Sequence, residues 1–275
     1  MPELPEVETV CRALLKHLPE KVITEIIVRQ PNLRNVLDEK ELNSVCAGKK
    51  ILNLRRRAKY IIVDLNTDSA LLLHLGMTGK FRVVKQNEPF FKHEHVIVNF
   101  TDGESLRYED PRRFGIFRSV TVPVSGGNPE CLEAMGPEPL SDDFNDSYLF
   151  KKSRRKTKPL KNFIMDNNVV VGVGNIYASE ALFRSSLSPL RKSGSLKKAE
   201  AAVLCEKIKE VLTEAIKAGG TTISDFQTPD GSEGYFFREL AVYGREEEPC
   251  LTCTLAIRRI VQAGRSTFYC KNCQK

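Results

Sequence analysis

Four cysteines crowd the last 26 residues of a 275-residue chain, and their spacing constrains the fold more than any other feature. Cys250 and Cys253 form one C-x2-C pair, Cys270 and Cys273 form another, and sixteen residues separate the pairs. Two such pairs set four thiolates at the corners of a tetrahedron, with the residues between them forming a hairpin. No fifth acceptor lies nearby, so the pattern reads as a closed, structural site for one Zn2+. The metal would hold up a hairpin too small to have its own core. A redox pair or an iron–sulfur site are the lesser alternatives, and disulfides do not suit a reducing compartment. The other cysteines, Cys11, Cys46, Cys131 and Cys205, are scattered in apolar or mixed surroundings and read as free buried thiols.

A chain of this length has room for about two domains of ~150 residues with a small module appended. Its 41% apolar content is ordinary for a globular protein. The longest apolar stretches, such as Ala70–Leu73 and Val169–Val171, are strand-sized and too short to span a membrane. Glu3, Glu6 and Glu8 precede any apolar cluster, which is wrong for a secretory leader. The expectation is therefore a soluble, cytoplasmic protein. Charge is unevenly spread: residues 1–150 carry net −2 and residues 151–275 net +9. A basic second half facing a polyanion accounts for this asymmetry.

The opening segment predicts a helix. Pro5 suits a first helical position, the glutamates suit the N-terminal end of the dipole, and Val7, Val10, Cys11, Leu14, Leu15 and Leu18 recur at helical spacing. Short β-branched or aromatic runs follow: Val22–Val28, Ile51–Leu54, Tyr60–Leu65, Ala70–Leu75, Phe81–Val84, Val96–Phe100, Leu106–Tyr108 and Phe114–Val122. Asn66-Thr67-Asp68 and Thr101-Asp102-Gly103 are good hairpin connections, so a sandwich or barrel is expected. Gly/Pro clusters from Gly126 and Gly136 read as a linker, after which Ser141-Asp142-Asp143 is a candidate helix cap. The clearest later helix is Lys197–Ala218, with Ala201, Leu204, Cys205, Ile208, Val211, Leu212 and Ile216 on one face.

Basic residues cluster where a polyanion would need them. Arg258, Arg259 and Arg265 fall on the cysteine-pinned hairpin, Lys151–Lys158 is a nearly unbroken basic run, and Arg55-Arg56-Arg57-Ala58-Lys59 precedes an apolar strand. Each is a candidate grip on phosphates, the bland alternatives being solvated charge or a guarded strand edge. At the other end, Met1 before a small residue is normally trimmed, which leaves Pro2 as a free secondary amine. A terminal amine with pKa ~8 is partly unprotonated near neutrality and therefore nucleophilic. Condensed with a sugar C1′, a secondary amine gives a permanently cationic iminium that acidifies the C2′ proton, and Glu3 stands beside it to move protons.

The opening Pro2–Thr9 resembles the N-terminus of the bacterial formamidopyrimidine-DNA glycosylases, the repair enzymes for oxidised purines. Further blocks are similar to the same family in the same order: Arg57–Tyr60, His74–Gly79, Asp110–Gly115, Gly136–Leu140, Val171–Glu180, Gly219–Thr222, Val242–Arg245 and the four-cysteine tail. The likeness spans the whole chain, although the stretches around 15–50 and 116–135 carry no distinctive motif. A sister family acting on oxidised pyrimidines shares Pro2-Glu3 and the zinc tail. It characteristically has Gly where this chain has Leu4, and it lacks the Arg112-Arg113-Phe114 pattern. A non-catalytic zinc-dependent DNA-binding protein would need none of Pro2, Glu3 or Lys59.

The resemblance implies a fold, an activity and a set of roles. The fold would be α+β and multidomain: residues 1–135 an N-terminal helix plus β-sandwich, 136–150 a linker, 151–240 a helix–two-turns–helix domain with a lesion-capping loop at 219–235, and 241–275 a zinc finger. Pro2 would attack C1′ and expel the oxidised base, with Glu3 as acid/base partner and Glu6 as a second acidic residue. Lys59 would move a proton in β-elimination and Arg265 in δ-elimination. His74, His93, Lys156 and Asn175 would hold the DNA backbone. Met77, Arg112 and Phe114 would enter the duplex when the damaged nucleotide leaves the stack, Arg112 pairing with the orphaned cytosine. The implied partner is double-stranded DNA containing oxidised purines or abasic sites, and the implied setting is the bacterial nucleoid. One structural Zn2+ on Cys250, Cys253, Cys270 and Cys273 completes a monomer with no membrane partner.

Overall fold

A computed structural model describes residues 2–123, 127–221 and 240–275. Most of the stretch expected as a lesion-capping loop, 222–235, lies outside the described residues. The chain divides into two compact units, Met1–Glu133 with Gly219–Tyr235, and Ala134–Ala218 with Phe236–Lys275.

In the first unit, helix α1 (Leu4–Leu15) starts as its sequence requires, with proline in its first turn. Its apolar face buries Val7, Val10, Cys11 and Leu14 in the main core, together with Leu18 just beyond its end. Eight strands follow: β1 (Ile23–Val28), β2 (Ile51–Arg57), β3 (Tyr60–Leu65), β4 (Ser69–His74), β5 (Lys80–Lys85), β6 (Glu94–Phe100), β7 (Glu104–Glu109) and β8 (Ile116–Thr121). They form two antiparallel four-stranded sheets in the orders β1-β6-β7-β5 and β2-β3-β4-β8, with one apolar core drawing on both. This is the expected sandwich. In β3 and β4 the apolar residues run nearly unbroken, because Ile61, Ile62, Val63 and Leu71, Leu72, Leu73 are all buried.

Helix α2 (Glu39–Cys46) was not expected from the sequence. Asp38 caps it, its carboxylate accepting from the amides of Lys40 and Glu41, while only Leu42 and Cys46 are buried. With so few apolar positions it carries almost no periodic signal. Helix α3 (Glu130–Glu133) closes this unit.

The second unit holds α4 (Asp146–Ser153), α5 (Leu160–Ile164), α6 (Asn175–Arg184), a short 3-10 turn at Ser193–Ser195, α7 (Lys198–Lys217) and the hairpin β9 (Arg258–Gln262) and β10 (Arg265–Tyr269). Four local expectations need correction. Leu15, expected on the apolar face of α1, is 40% exposed at the helix's last residue. The cap of α4 is Asn145, which accepts from the amide of Tyr148, rather than Ser141-Asp142-Asp143. On α7 it is Ala215 that is buried, whereas Ile216 is only half-buried, because Ala215 continues the spacing set by Leu204, Ile208 and Val211 and Ile216 falls at the edge of that stripe. Cys131 is exposed on the four-residue α3, which is too short to bury more than Leu132, while Cys11, Cys46 and Cys205 are buried as expected.

Candidate active site

The candidate residues fall in both units. At the start of α1, Pro2 is buried and Glu3 and Glu6 are both under 4% exposed. Glu6 is the organiser. Its Oε2 accepts from the Glu3 amide at 2.8 Å, and its Oε1 accepts from the amide (2.9 Å) and hydroxyl (3.1 Å) of Thr221. One carboxylate thus ties the chain's beginning to a segment 215 residues away. Gly220 makes this approach possible. Its φ is +87°, and a Cβ there would stand 3.0 Å from Glu6 Oε1. Thr221 went unnoticed in the sequence, where only its Gly-Gly-Thr-Thr context stood out.

Lys59 sits in the β2–β3 turn, after Ala58 at φ +55°. That turn is pinned to α1 because Arg56 Nε donates to Glu8 Oε2 at 2.6 Å and Arg56 Nη1 to the Ala58 carbonyl at 3.0 Å. Arg55 in turn is forked onto Asp64. Two of the three arginines read as phosphate candidates are therefore committed to ion pairs.

Across the sheet, His74 pairs in register with Tyr60, the rings 4.9 Å apart. His74 Nδ1 accepts from the Gly76 amide at 2.9 Å, so its Nε2–H is free to donate. Burial, helped by the nearby charges of Arg34 and Lys59, pulls the His74 pKa down to about 4. As a DNA contact it would act as a neutral donor, not a cation. The sign of the stability linkage follows. The unfolded chain binds a proton near pH 6.5 and the folded chain does not, so the contribution is complete above pH 6.5 and lost as pH falls towards 4. His74→Asn keeps an acceptor for the Gly76 amide and is expected to remove about 2–3 kcal/mol of this acid-side slope. Urea midpoints for parent and variant between pH 4 and 7 measure it.

Met77, Arg112 and Phe114 lie on two turns held by one buried carboxylate. Asp110 accepts from the Thr78 hydroxyl (2.6 Å), the Gly115 amide (2.8 Å) and the Tyr108 hydroxyl (3.2 Å). Gly76, at φ +63°, packs so closely that a Cβ would stand 2.5 Å from the Gly115 nitrogen. Arg112 and Phe114 are exposed, the guanidinium 4.9 Å from the ring centroid, and Met77 is half-buried. Phe114 is thus an exposed ring on a braced turn and not a core residue. His93 is half-buried beside His95, and its carbonyl accepts from the Asp110 amide at 3.0 Å.

In the second unit, a cleft of about 300 Å³ is lined by Lys158, Lys161, Asn175, Gln262 and Arg265 among others. Asn175 is not the cap of α6, since Gly174 holds that position. Its side chain instead accepts from Lys161 Nζ at 2.6 Å and donates to the Tyr243 hydroxyl at 3.3 Å. Lys161, 1% exposed, also donates to the Ser266 carbonyl and the Thr267 hydroxyl of β10. Glu180, fully buried on α6, accepts from the amides of Ala241, Val242 and Tyr243. Neither Lys161 nor Glu180 was singled out in the sequence. Lys156 is exposed between α4 and α5 and is not among the residues lining the cleft.

Beyond the hairpin the four cysteine sulfurs lie within 4.8 Å of one another, with Cys250 to Cys273 at 3.9 Å and Cys253 to Cys270 at 3.4 Å. A tetrahedral zinc with Zn–S bonds of ~2.3 Å requires sulfurs ~3.8 Å apart, so the four thiols fit the ion. They form the structural zinc site. Among the described residues, Val242, Cys250, Ile257, Phe268 and Cys270 form a small local core, with Phe183, Tyr243, Cys253 and Cys273 packed against it.

Comparison with known proteins matches the chain to three family models: the formamidopyrimidine-DNA glycosylase N-terminal domain over residues 1–117, its H2TH domain over 135–227, and a zinc finger found in FPG and IleRS over 247–275. A formamidopyrimidine-DNA glycosylase of Pasteurella multocida is 47% identical, each chain covered completely. A Lactococcus lactis FPG mutant, solved with Fapy-dG-containing DNA, superposes with a TM-score of 0.91 at 34% identity, all of both chains covered. A MutM solved with carbocyclic 8-oxo-G-containing DNA gives 0.91 at 36%, again over both whole chains. A sandwich, an H2TH module and a four-cysteine finger in this order define a multidomain, zinc-finger class of DNA glycosylase. Within that class, the chain belongs to the formamidopyrimidine-DNA glycosylase family.

Proposed function

We propose that this chain excises formamidopyrimidines and 8-oxoguanine from double-stranded DNA and then cuts the abasic strand on both sides of the sugar. The observation that carries this reading is full-length kinship with proteins solved on Fapy-dG and 8-oxo-G DNA, combined with the buried Pro2-Glu3-Glu6 cluster. With Met1 removed, the Pro2 nitrogen lone pair attacks C1′. The bond from C1′ to the base breaks, its electron pair leaving with the base, which gains a proton. The nitrogen sheds its own proton and the C1′–O4′ bond breaks, O4′ taking up a proton, which gives the iminium. This withdraws electrons from C2′, whose proton departs as the C3′–O bond breaks, and loss of the C4′ proton then drives a second elimination that breaks the C5′–O bond. Glu3 moves protons at the sugar, Glu6 holds the terminus in place, and Lys59 and Arg265 serve the two eliminations.

His74, His93, Lys156 and Asn175 hold phosphates, while Met77, Arg112 and Phe114 fill the gap left by the everted nucleotide. The finger contributes Arg265, and its zinc supplies no chemistry beyond holding that hairpin. No described helix is long and apolar enough to cross a membrane, and we place this activity in the bacterial cytoplasm, at the nucleoid, in a monomer. We assign the functional division to residues 1–135, 136–150, 151–240 and 241–275.

The test is borohydride added to the protein on an 8-oxoguanine·C duplex. A trapped covalent adduct is expected, and tight binding without one would mark a non-catalytic DNA-binding protein.

A further inference from the structure

Three guanidinium groups and a single carboxylate meet beneath two exposed phenylalanines on the β1-β6-β7-β5 sheet. Glu94, 1% exposed at the start of β6, pairs with Arg82 of β5 and with Arg107 of β7, the latter at 3.3 Å. Arg29, just past β1, donates to the carbonyls of Phe91 (2.9 Å) and Glu94 (3.0 Å). Phe91 lies on Arg82, 3.9 Å from guanidinium carbon to ring centroid, and Phe90 lies on Arg107 at 4.4 Å and by Arg29 at 4.8 Å. Both rings are 50% exposed.

The cluster is unbalanced in two ways. Three cations face one carboxylate, and the Nε–H groups of Arg82 and Arg107 are buried without a hydrogen-bond partner. Each ring has its inner face occupied by a cation, which fixes its orientation and leaves its outer face to solvent. A rigid apolar shelf inside a positive field suits a partner that is anionic and carries apolar faces of its own. The sugar–phosphate backbone is such a partner.

Its position selects DNA over an acidic protein segment. β5 begins at Lys80, three residues after Met77, and β7 ends at Glu109, three before Arg112; Lys80 and Glu94 both pair in register with Glu109. Arg82 and Arg107, themselves register partners, lie two residues further along these strands. That is ~7 Å, or about two base-pair steps, from the end that carries the wedge candidates. We propose that Phe90 and Phe91, backed by Arg29 and Arg82, form a second DNA contact that grips the backbone of one duplex arm beyond the lesion. This rests on the repair reading above, since it takes Met77, Arg112 and Phe114 as the DNA-facing end.

The experiment measures equilibrium binding to a long duplex carrying a reduced, unreactive abasic site, and to duplexes with one arm or the other cut back to its first few base pairs. The double variant Phe90→Ala/Phe91→Ala is expected to bind the long duplex about tenfold more weakly than the parent. It should match the parent once the relevant arm is removed, and should still excise 8-oxoguanine from that shortened duplex. Arg29→Ala is expected to lower the slope of log affinity against log salt by about one. Parental affinity of the double variant for the long duplex would overturn the proposal and leave the shelf to an acidic protein. An equal loss on every duplex would overturn it too, reducing the rings to a packing role. Failure of the parent chain to bind any of these duplexes would sink the repair reading itself, and the shelf with it.

Discussion

Replacing Cys250 with serine is expected to lower affinity for a lesion duplex by at least about a hundredfold, because zinc binding is folding for this hairpin, at ~10–16 kcal/mol in small finger domains. The local core amounts to Val242, Cys250, Ile257, Phe268 and Cys270, and two of those five are metal ligands. Without the ion, the hairpin keeps its five-residue ladder between β9 and β10 and the apolar contacts of Val242, Ile257 and Phe268, a small core for so exposed a module. The damage would spread along specific contacts. Arg265 leaves the cleft it shares with Asn175, and buried Lys161 loses the Ser266 carbonyl and Thr267 hydroxyl as acceptors, so the group that orients Asn175 is itself released. Zinc content by atomic absorption and duplex affinity by fluorescence anisotropy check this together. Stripping the metal from the parent with a chelator should reproduce the loss, and readily in acid, since the ligands must be thiolates. A serine variant with parental affinity would show that the finger is not part of the grip.

Much of the architecture is legible because it rests on local rules. The apolar face of α1, the turns that separate eight short strands and the knuckle spacing of the four cysteines each follow from residues close together in sequence. Helix α2 is not legible in that way, since its stability comes from the Asp38 cap and two buried side chains rather than from a stripe. The Asp38 capping oxygen, followed by Glu39 and Glu41 in the first turn, is the signal that could have marked it.

The site divides along the same line. The four cysteines announce themselves by spacing, whereas Pro2 and Glu3 stand out only in company with the other family blocks. The groups that brace them do not. Glu6 is held by Thr221, Lys161 by Thr267 and Asp110 by Thr78, across separations of 215, 106 and 32 residues. A charged residue is stable in the interior only when its partners are brought to it, and no local pattern reveals that closure. The arginines of the 55–57 run show the converse. They read as free positive charge, yet Arg55 and Arg56 are committed to Asp64 and Glu8.

Pro2→Gly is expected to cut the borohydride-trapped adduct by at least about a hundredfold while changing lesion-duplex affinity less than about threefold. Glycine after Met1 still presents a terminal amine, but a primary one, whose Schiff base can lose its N–H proton and become neutral. The secondary amine of proline gives an iminium that stays cationic whatever the pH, and that charge is what acidifies C2′. The rest of the cluster should survive, because α1 begins at Leu4 and Glu6 is anchored to the Glu3 amide and Thr221. In the parent, adduct formation should rise with pH through the terminal amine's pKa near ~8, as the nitrogen sheds its proton and recovers its lone pair. Gel quantification of the adduct beside anisotropy on an unreactive abasic duplex separates chemistry from binding. Parallel loss of both would make Pro2, which is buried, a packing residue and not the nucleophile. Mass spectrometry showing Met1 retained, or the Pro2 nitrogen acylated, in fully active protein would rule out the attack altogether.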